Sequence, residues 1–253
     1  MIDLHCHILP GVDDGAPDLE ISLRMARLAV ADGIVTVACT PHIMPGVYEN
    51  SGAEIRARVS GLSAALENAG IPLTLTVGAD AHLDLSLLDD LKSGFVPTLG
   101  GSRYFLLEPP HHVAPPRLEE FGFSLLTSGY VPVLTHPERF SWIDGHYDLV
   151  RRMATSGVLI QLTAGSLTGR FGHRPRYWAE RMLDEGMADL LASDAHDADE
   201  RPPRMAEARD VVAKRCGDAT AVRLVATNPL AILGNMLPSE VRQHKGQFGH
   251  SPG

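Results

Sequence analysis

Lysine is nearly missing from this 253-residue chain: three of its 22 basic residues are Lys, and the rest are Arg. Cysteine is also scarce. Three thiols, Cys6, Cys39 and Cys216, cannot all pair, which excludes a disulfide scaffold and agrees with a reducing compartment. No stretch approaches the ~18 apolar residues of a membrane span, and the opening MIDLHCH lacks the basic region and apolar run of a signal peptide. Membrane insertion is therefore not expected, and a cytoplasmic location is. Positive charge is in short supply: a formal charge of −9 argues against nucleic acid as the main partner. Low-complexity tracts and fixed-period repeats are absent, and 44% hydrophobic residues exclude disorder. A chain of this size buries roughly 70–75% of its unfolded surface, so its core needs no staples.

What is present in excess is histidine, with 12 residues. Their meaning depends on position, and position follows from the order of elements. Short runs, apolar on both faces, predict buried parallel strands at Ile2–His7, Ile34–Cys39, Leu73–Gly78, Tyr104–Leu107, Val131–Thr135, Val158–Thr163 and Met187–Ala192. Between them the pattern predicts helices at Asp18–Ala31, Ala53–Ala69, Ser86–Lys92, Pro116–Ser128, Tyr147–Ser156, Arg176–Glu185 and Met205–Cys216. Several are followed by Gly, which takes the left-handed cap conformation at little cost. A last short helix near Ala219–Ala226 and a turn at Asn228–Leu233 close the pattern. Seven strand–helix repeats without a break point to one α/β domain, a barrel or a doubly wound sheet, over residues 1–237. The polar residues 238–253 read as a flexible C-terminal tail.

Potential metal ligands collect at the carboxyl ends of the strands, the active face of parallel α/β folds. His5 and His7 end the first strand, His42 follows the second, and Asp80 the third. Glu108 follows the fourth, His136 the fifth, and Asp194 and His196 the seventh. At i and i+2 of a strand, His5 and His7 share a face and Cys6 points away. Asp13 and Asp14 lie in the loop after that strand, where a turn and helix cap is an equally natural role. Unpaired Asp80 and Glu108 after apolar strands would be costly, so a metal or Arg partner is expected. The set His5, His7, Asp14, His42, Asp80, Glu108, His136, Asp194 and His196 is too large for one ion. Its mixed nitrogen and oxygen donors suit Mn, Fe or Zn, and two or three ions are implied. Arg139, Arg170, Arg174, Arg176, Arg201 and Arg204 fall in loops after the later strands, where Arg forks match phosphate geometry. Arg174 and Arg176 suit an ordinary solvated surface equally well. A cysteine phosphatase is excluded, because position +6 from each thiol is Val12, Pro45 or Val222 rather than Arg. A Gly-x-Ser-x-Gly elbow and a nucleotide-type phosphate loop are also missing.

The segments MIDLHCHILPGVDDGA, ACTPH, HPERF, QLTAGSLTGRFG and ASDAH together resemble the polymerase-and-histidinol-phosphatase (PHP) superfamily. More narrowly, they resemble the bacterial tyrosine-protein phosphatases of capsule and exopolysaccharide loci, from residue 1 to about Leu233. The resemblance implies a distorted (β/α)7 TIM-like barrel with its metal cluster at the strand carboxyl ends. It implies one ion on His5, His7, Asp80 and Asp194, a second sharing Asp80 with Glu108 and His136, and a third on Asp14, His42 and His196. Asp80 stands at a bridging position where those phosphatases carry Glu. Asp80, Arg139 and Arg201 are the implied catalytic residues, with Arg139, Arg201 and Arg170 binding substrate and manganese the first-choice metal. The implied reaction is hydrolysis of phosphotyrosine on the tail of a tyrosine autokinase that controls polysaccharide export. A PHP phosphatase of a small phosphomonoester such as histidinol phosphate, and a non-enzymatic PHP module, are the alternatives. His111 and His112, after Glu108, have no role assigned by sequence.

Overall fold

The computed structural model of the chain describes residues 1–242. Among the described residues nine strands form, all pairing in parallel: β1 (Ile2–Cys6), β2 (Thr36–Cys39), β3 (His42–Ile43), β4 (Thr74–Val77), β5 (Asp80–His82), β6 (Tyr104–Glu108), β7 (Val131–Leu134), β8 (Leu159–Thr163) and β9 (Leu190–Ala192). They make two sheets in the orders β1-β2-β4 and β3-β5-β6-β7-β8-β9. A parallel bridge between Cys6 and Ala195 brings β1 against the end of β9. The result is a mixed α/β fold built on a parallel, half-barrel sheet.

The two sheets exchange partners at two breaks in the chain. Thr40 and Pro41 separate β2 from β3, and Gly78 and Ala79 separate β4 from β5. Proline has no N–H to give a ladder. Gly78 packs so closely that a Cβ would lie 2.9 Å from both Leu99 and Thr40 side-chain atoms. Below each break the strand pairs with the first sheet, and above it with the second. His42 thereby comes into register with Asp80, and His82 with Glu108. These upper segments were not among the expected strands, yet they carry two of the expected ligands.

Each of the seven apolar runs coincides with an observed strand; six are trimmed by up to three residues at an end, and Tyr104–Leu107 is extended by one to Glu108. Strands β6, β7 and β8 are buried at every residue, as a sheet covered on both faces requires. Helices run Leu19–Ala31, Gly52–Asn68, Leu87–Ser93, Leu118–Thr127, Ile143–Ser156, His173–Asp184 and Ala206–Cys216. Asp18 caps the first through its side chain, and Ser51 and Glu54 form a capping box on the second. The helix expected at Tyr147–Ser156 starts a turn earlier. The expected Ala219–Ala226 helix is part of a longer helical run from Asp218 to Leu233 that contains a π-turn at Arg223–Thr227.

Residues 238–242 depart from the expected flexible tail. Residues Pro238–Arg242 form a short helix that buries Val241, and Arg242 pairs with the buried Asp189 at 3.0 Å while donating to the Ala154 and Val158 carbonyls. The part of that expectation from residue 243 onward lies outside the described residues. Among the described residues, no helix is long and apolar enough to cross a membrane.

Candidate metal centre

Strand alternation turns His5 and His7 to one face and packs Cys6 among apolar neighbours on the other. His5 gives its Nδ1 to the Gln161 side-chain oxygen (2.9 Å), and His7 gives its Nδ1 to Asp13 (2.7 Å). With both Nδ1 positions committed, the two Nε2 atoms, 3.1 Å apart, are the ones left to take a cation or a proton. Two imidazole acceptors that close repel unless a cation or a proton lies between them.

The same holds around the cluster. Asp80 is fully buried and neither of its oxygens has a hydrogen-bond partner; one lies 3.3 Å from His5 Nε2 and 3.5 Å from His42 Nδ1. Asp194 Oδ1 is 3.4 Å from His5 Nε2 and 3.6 Å from His7 Nε2. Glu108 lies 3.5 Å from His136 and 3.4 Å from His42. Asp14 Oδ1 is 3.5 Å from both His42 Nε2 and His196 Nε2. Two donors bonded ~2.1 Å from one ion sit ~3.0–3.4 Å apart. The observed separations are those of ligands sharing ions, and an unpaired carboxylate at zero exposure needs a cation. The residues therefore fit a multinuclear divalent centre.

Five overlapping groups could each hold an ion: His7, Asp14, His42 and His196; His5, His7 and Asp80; His5, His136 and Asp194; Glu108, His111 and His136; and His42, Asp80 and Glu108. Asp80 belongs to two of them, as a bridge would. All nine sequence-predicted ligands are brought together. His111 joins them, 3.0 Å from Glu108; the unassigned pair after Glu108 was its only sequence signal.

The protonation pattern follows from burial and charge. Burial lowers the His5 pKa, but Asp80 and Asp194 outweigh it and hold the ring up to about 10. The carboxylates thus demand positive charge, which a bound cation supplies in place of the proton. Burial, then His196 and His42, drive His7 well below the usual imidazole range, so it is neutral and able to ligate. Burial and the neighbouring Glu108 raise Asp80. Asp194 is held well below the carboxylate range: His5, Arg139 and Arg201 overcome its burial.

Asp194 divides its oxygens between two tasks. Oδ1 faces the imidazoles, and Oδ2 accepts from Arg139 Nη1 and from Arg201 Nη2 (2.7 Å for the latter). The two arginines therefore stand at the edge of the cluster as expected. Arg170 is exposed and donates to the Glu200 carbonyl at 3.2 Å, and none of its contacts among the described residues reaches the ligand set. Arg174 and Arg176 bind Asp144 and Glu180 in surface pairs.

Several supporting residues escaped sequence reasoning. Asp13 orients His7 and also accepts from the His42 backbone N–H at 3.0 Å. Gln161 orients His5. Asp3 ties β1 to the Ser193 backbone and hydroxyl beside Asp194. Buried Glu138 accepts from Thr163 N and Ser166 Oγ, both at 2.8 Å, fixing the turn in which His136 adopts φ +34°. Asp194 is also left-handed, at φ +50°, a conformation that Asp and His adopt more readily than most side chains. These residues lie inside the quoted segments, but their roles were not legible there, because each meets its ligand through tertiary folding or a loop's path.

A family model for capsular polysaccharide synthesis, CpsB/CapC, matches residues 1–234. The tyrosine-protein phosphatase YwqE of Bacillus subtilis is 34% identical over 97% of this chain and 98% of its own length. The tyrosine-protein phosphatase CpsB of Streptococcus pneumoniae is 28% identical over 94% of this chain and all of its own, 100%. A chain from the crystal structures of those two proteins, described as unique metal-dependent tyrosine phosphatases, superposes with a TM-score of 0.90 at 34% identity, covering 94% of this chain and 96% of that one. The matches take in every ligand-bearing strand end, and the chain belongs to the CpsB/CapC family of capsular polysaccharide synthesis.

Proposed function

We propose that this protein is a metal-dependent protein-tyrosine phosphatase of capsule or exopolysaccharide synthesis. The observation that carries the reading is Asp80: a fully buried carboxylate with no hydrogen-bond partner among the described residues, grouped with His5 and His7 on one side and with His42 and Glu108 on the other. Its relatives named as tyrosine-protein phosphatases support the substrate class.

His5, His7, Asp80 and Asp194 would hold one ion, Asp80, Glu108 and His136 a second, and Asp14, His42 and His196 a third, with Mn as first choice and Fe or Zn as alternatives. When bound, such ions polarise phosphoryl oxygens and lower the pKa of water. The protein's own contribution is to bind and orient. Arg139 and Arg201 present guanidinium donors beside the cluster, where the charge of a phosphoryl group is neutralised. Gln161 and Asp13 fix the ring orientations of His5 and His7. No thiol serves as nucleophile: Cys6 and Cys39 are fully buried, and burial pushes both thiols up. Tyrosine, with a phenol pKa of ~10, is a tolerable leaving group. The site opens outward, with Asp14 48% exposed and Arg139 and Arg201 partly exposed, which suits a phosphotyrosine carried on a protein.

The partner we assign is the phosphotyrosine-bearing tail of a bacterial tyrosine kinase, met in the cytoplasm. The fold we assign is the distorted (β/α)7 barrel, counting β2 with β3 and β4 with β5 as single staves. Elemental analysis of protein purified without chelator, beside turnover of a phosphotyrosyl peptide and of L-histidinol phosphate, tests the reading. Two or three metals per chain and preference for the peptide are expected. Full peptide turnover with less than about one metal per chain would sink it, and preference for histidinol phosphate would replace its substrate class.

A further inference from the structure

Two like charges stand side by side at the phosphate-facing edge of the cluster. Arg139 and Arg201 both donate to the single oxygen Oδ2 of Asp194, whose other oxygen faces the imidazoles. One carboxylate shared with the metal ligands does not balance two guanidiniums, so something else must hold them together. The structure supplies an aromatic face. The guanidinium carbon of Arg139 lies 4.8 Å from the ring centroid of Phe171, and that of Arg201 lies 5.9 Å from the same centroid. Both fall within the ~6 Å range in which a ring quadrupole attracts a cation. Arg201 Nε is buried without a hydrogen-bond partner. That edge of the guanidinium is therefore not held by hydrogen bonding.

The ring itself rests in a seat made by an absent side chain. A Cβ on Gly165 would lie 2.8 Å from Phe171 Cε2, 3.0 Å from Cζ and 3.3 Å from Cδ2. Gly165 belongs to the Ala164–Leu167 turn and has no left-handed φ, so its backbone accepts alanine. Its lack of a side chain serves the ring above it rather than the chain's own path. The same turn is anchored through Ser166 to Glu138, the neighbour of Arg139.

We propose that Phe171, seated on Gly165, is a positioning residue that holds Arg139 and Arg201 together as one phosphate clamp. This rests on the phosphatase reading for its substrate but reads out in phosphate binding, which needs no turnover. The device predicts that the ring face matters and the bulk does not. Phe171→Leu keeps apolar volume and loses the quadrupole; Phe171→Tyr keeps both.

The test uses the metal-loaded full chain, with p-nitrophenyl phosphate turnover, inorganic phosphate affinity, metal content and melting temperature measured for each variant. Phe171→Leu should lower kcat/KM and weaken inorganic phosphate each by roughly tenfold, with metal content unchanged. Phe171→Tyr should stay within about twofold of the wild type, because it retains the ring face. Gly165→Ala should reproduce the Leu phenotype although the ring is still present. In an Arg201→Ala background, the further loss from Phe171→Leu should shrink, since one of its two cations is gone. Wild-type phosphate affinity in Phe171→Leu, or equal losses in Leu and Tyr, would overturn the clamp. If Phe171→Leu does not fold, Gly165→Ala and Phe171→Tyr decide the matter in the same way. Wild-type protein that binds phosphate through this clamp but turns over no phosphomonoester would instead overturn the phosphatase reading and leave the clamp standing.

Discussion

At the residue scale, the chemistry is set by groups that burial has left without protein partners. Asp80 is the clearest case: it is fully buried, neither of its oxygens is hydrogen-bonded among the described residues, and it belongs to two of the possible ligand groups. Asp80→Asn keeps the shape but removes the charge and one ligating oxygen. It should lose at least one metal per chain and be nearly inactive, while Asp14→Ala, at the exposed margin, should lose less of both. Asp80→Glu should keep substantial activity, since the family resemblance implies Glu at the proposed bridging position. Full metal content and near-normal turnover in Asp80→Asn would transfer the bridging role to Glu108. The cysteines give the opposite expectation. Cys6 and Cys39 are core residues facing away from the ligands, so replacing all three thiols by Ser should leave turnover of folded protein within a few-fold. The cost should appear as stability, because a buried hydroxyl without a partner costs ~1–3 kcal/mol. Complete loss of turnover in a folded triple variant would point to a thiol nucleophile.

At the scale of elements, the alternation of apolar runs and helical patterns was fully legible, and so was the placement of ligands at strand ends. Two short strands were not. His42–Ile43 and Asp80–His82 are too short for any periodicity, and they form because Pro41 and Gly78 let β2 and β4 break and change partners. The ligand set could be read without them, because polar residues after apolar runs announce themselves. The orienting roles of Asp13, Gln161 and Glu138 could not, although all three lie inside the quoted segments, because those roles depend on contacts that form only in the fold. The C-terminal helix was misread for a related reason: a polar segment looks solvated until its one apolar residue, Val241, finds the core and Arg242 finds Asp189. Arg242→Ala should destabilise by ~1–3 kcal/mol, as expected for removing a charged partner from a buried carboxylate. Urea unfolding of the variant and the wild type checks this, and equal midpoints would show that the Arg242–Asp189 pair adds nothing to stability.

At the scale of the molecule, the fold gathers buried carboxylates that no protein cation neutralises in full. Asp80 and Glu108 both approach His42 Nδ1, at 3.5 and 3.4 Å, and Asp194 leans on two arginines from the other side. The folded chain without metal carries that repulsion as a penalty; with metal it becomes binding energy available only to the folded state. Chelation should therefore lower the melting temperature. Free metal at a hundredfold excess over its Kd is worth ~2.7 kcal/mol, or roughly 5–10 °C for a domain of this size. The decisive comparison reverses its sign with Asp80→Asn. In metal-free protein the substitution removes one of two apposed buried carboxylates, so Asp80→Asn should melt at or above the wild type. In metal-loaded protein it removes a ligand, so it should melt below. Differential scanning calorimetry of the four samples reads the crossover directly. If Asp80→Asn lowers the melting temperature equally with and without metal, Asp80 is an ordinary packing residue and the electrostatic account of the centre fails with it.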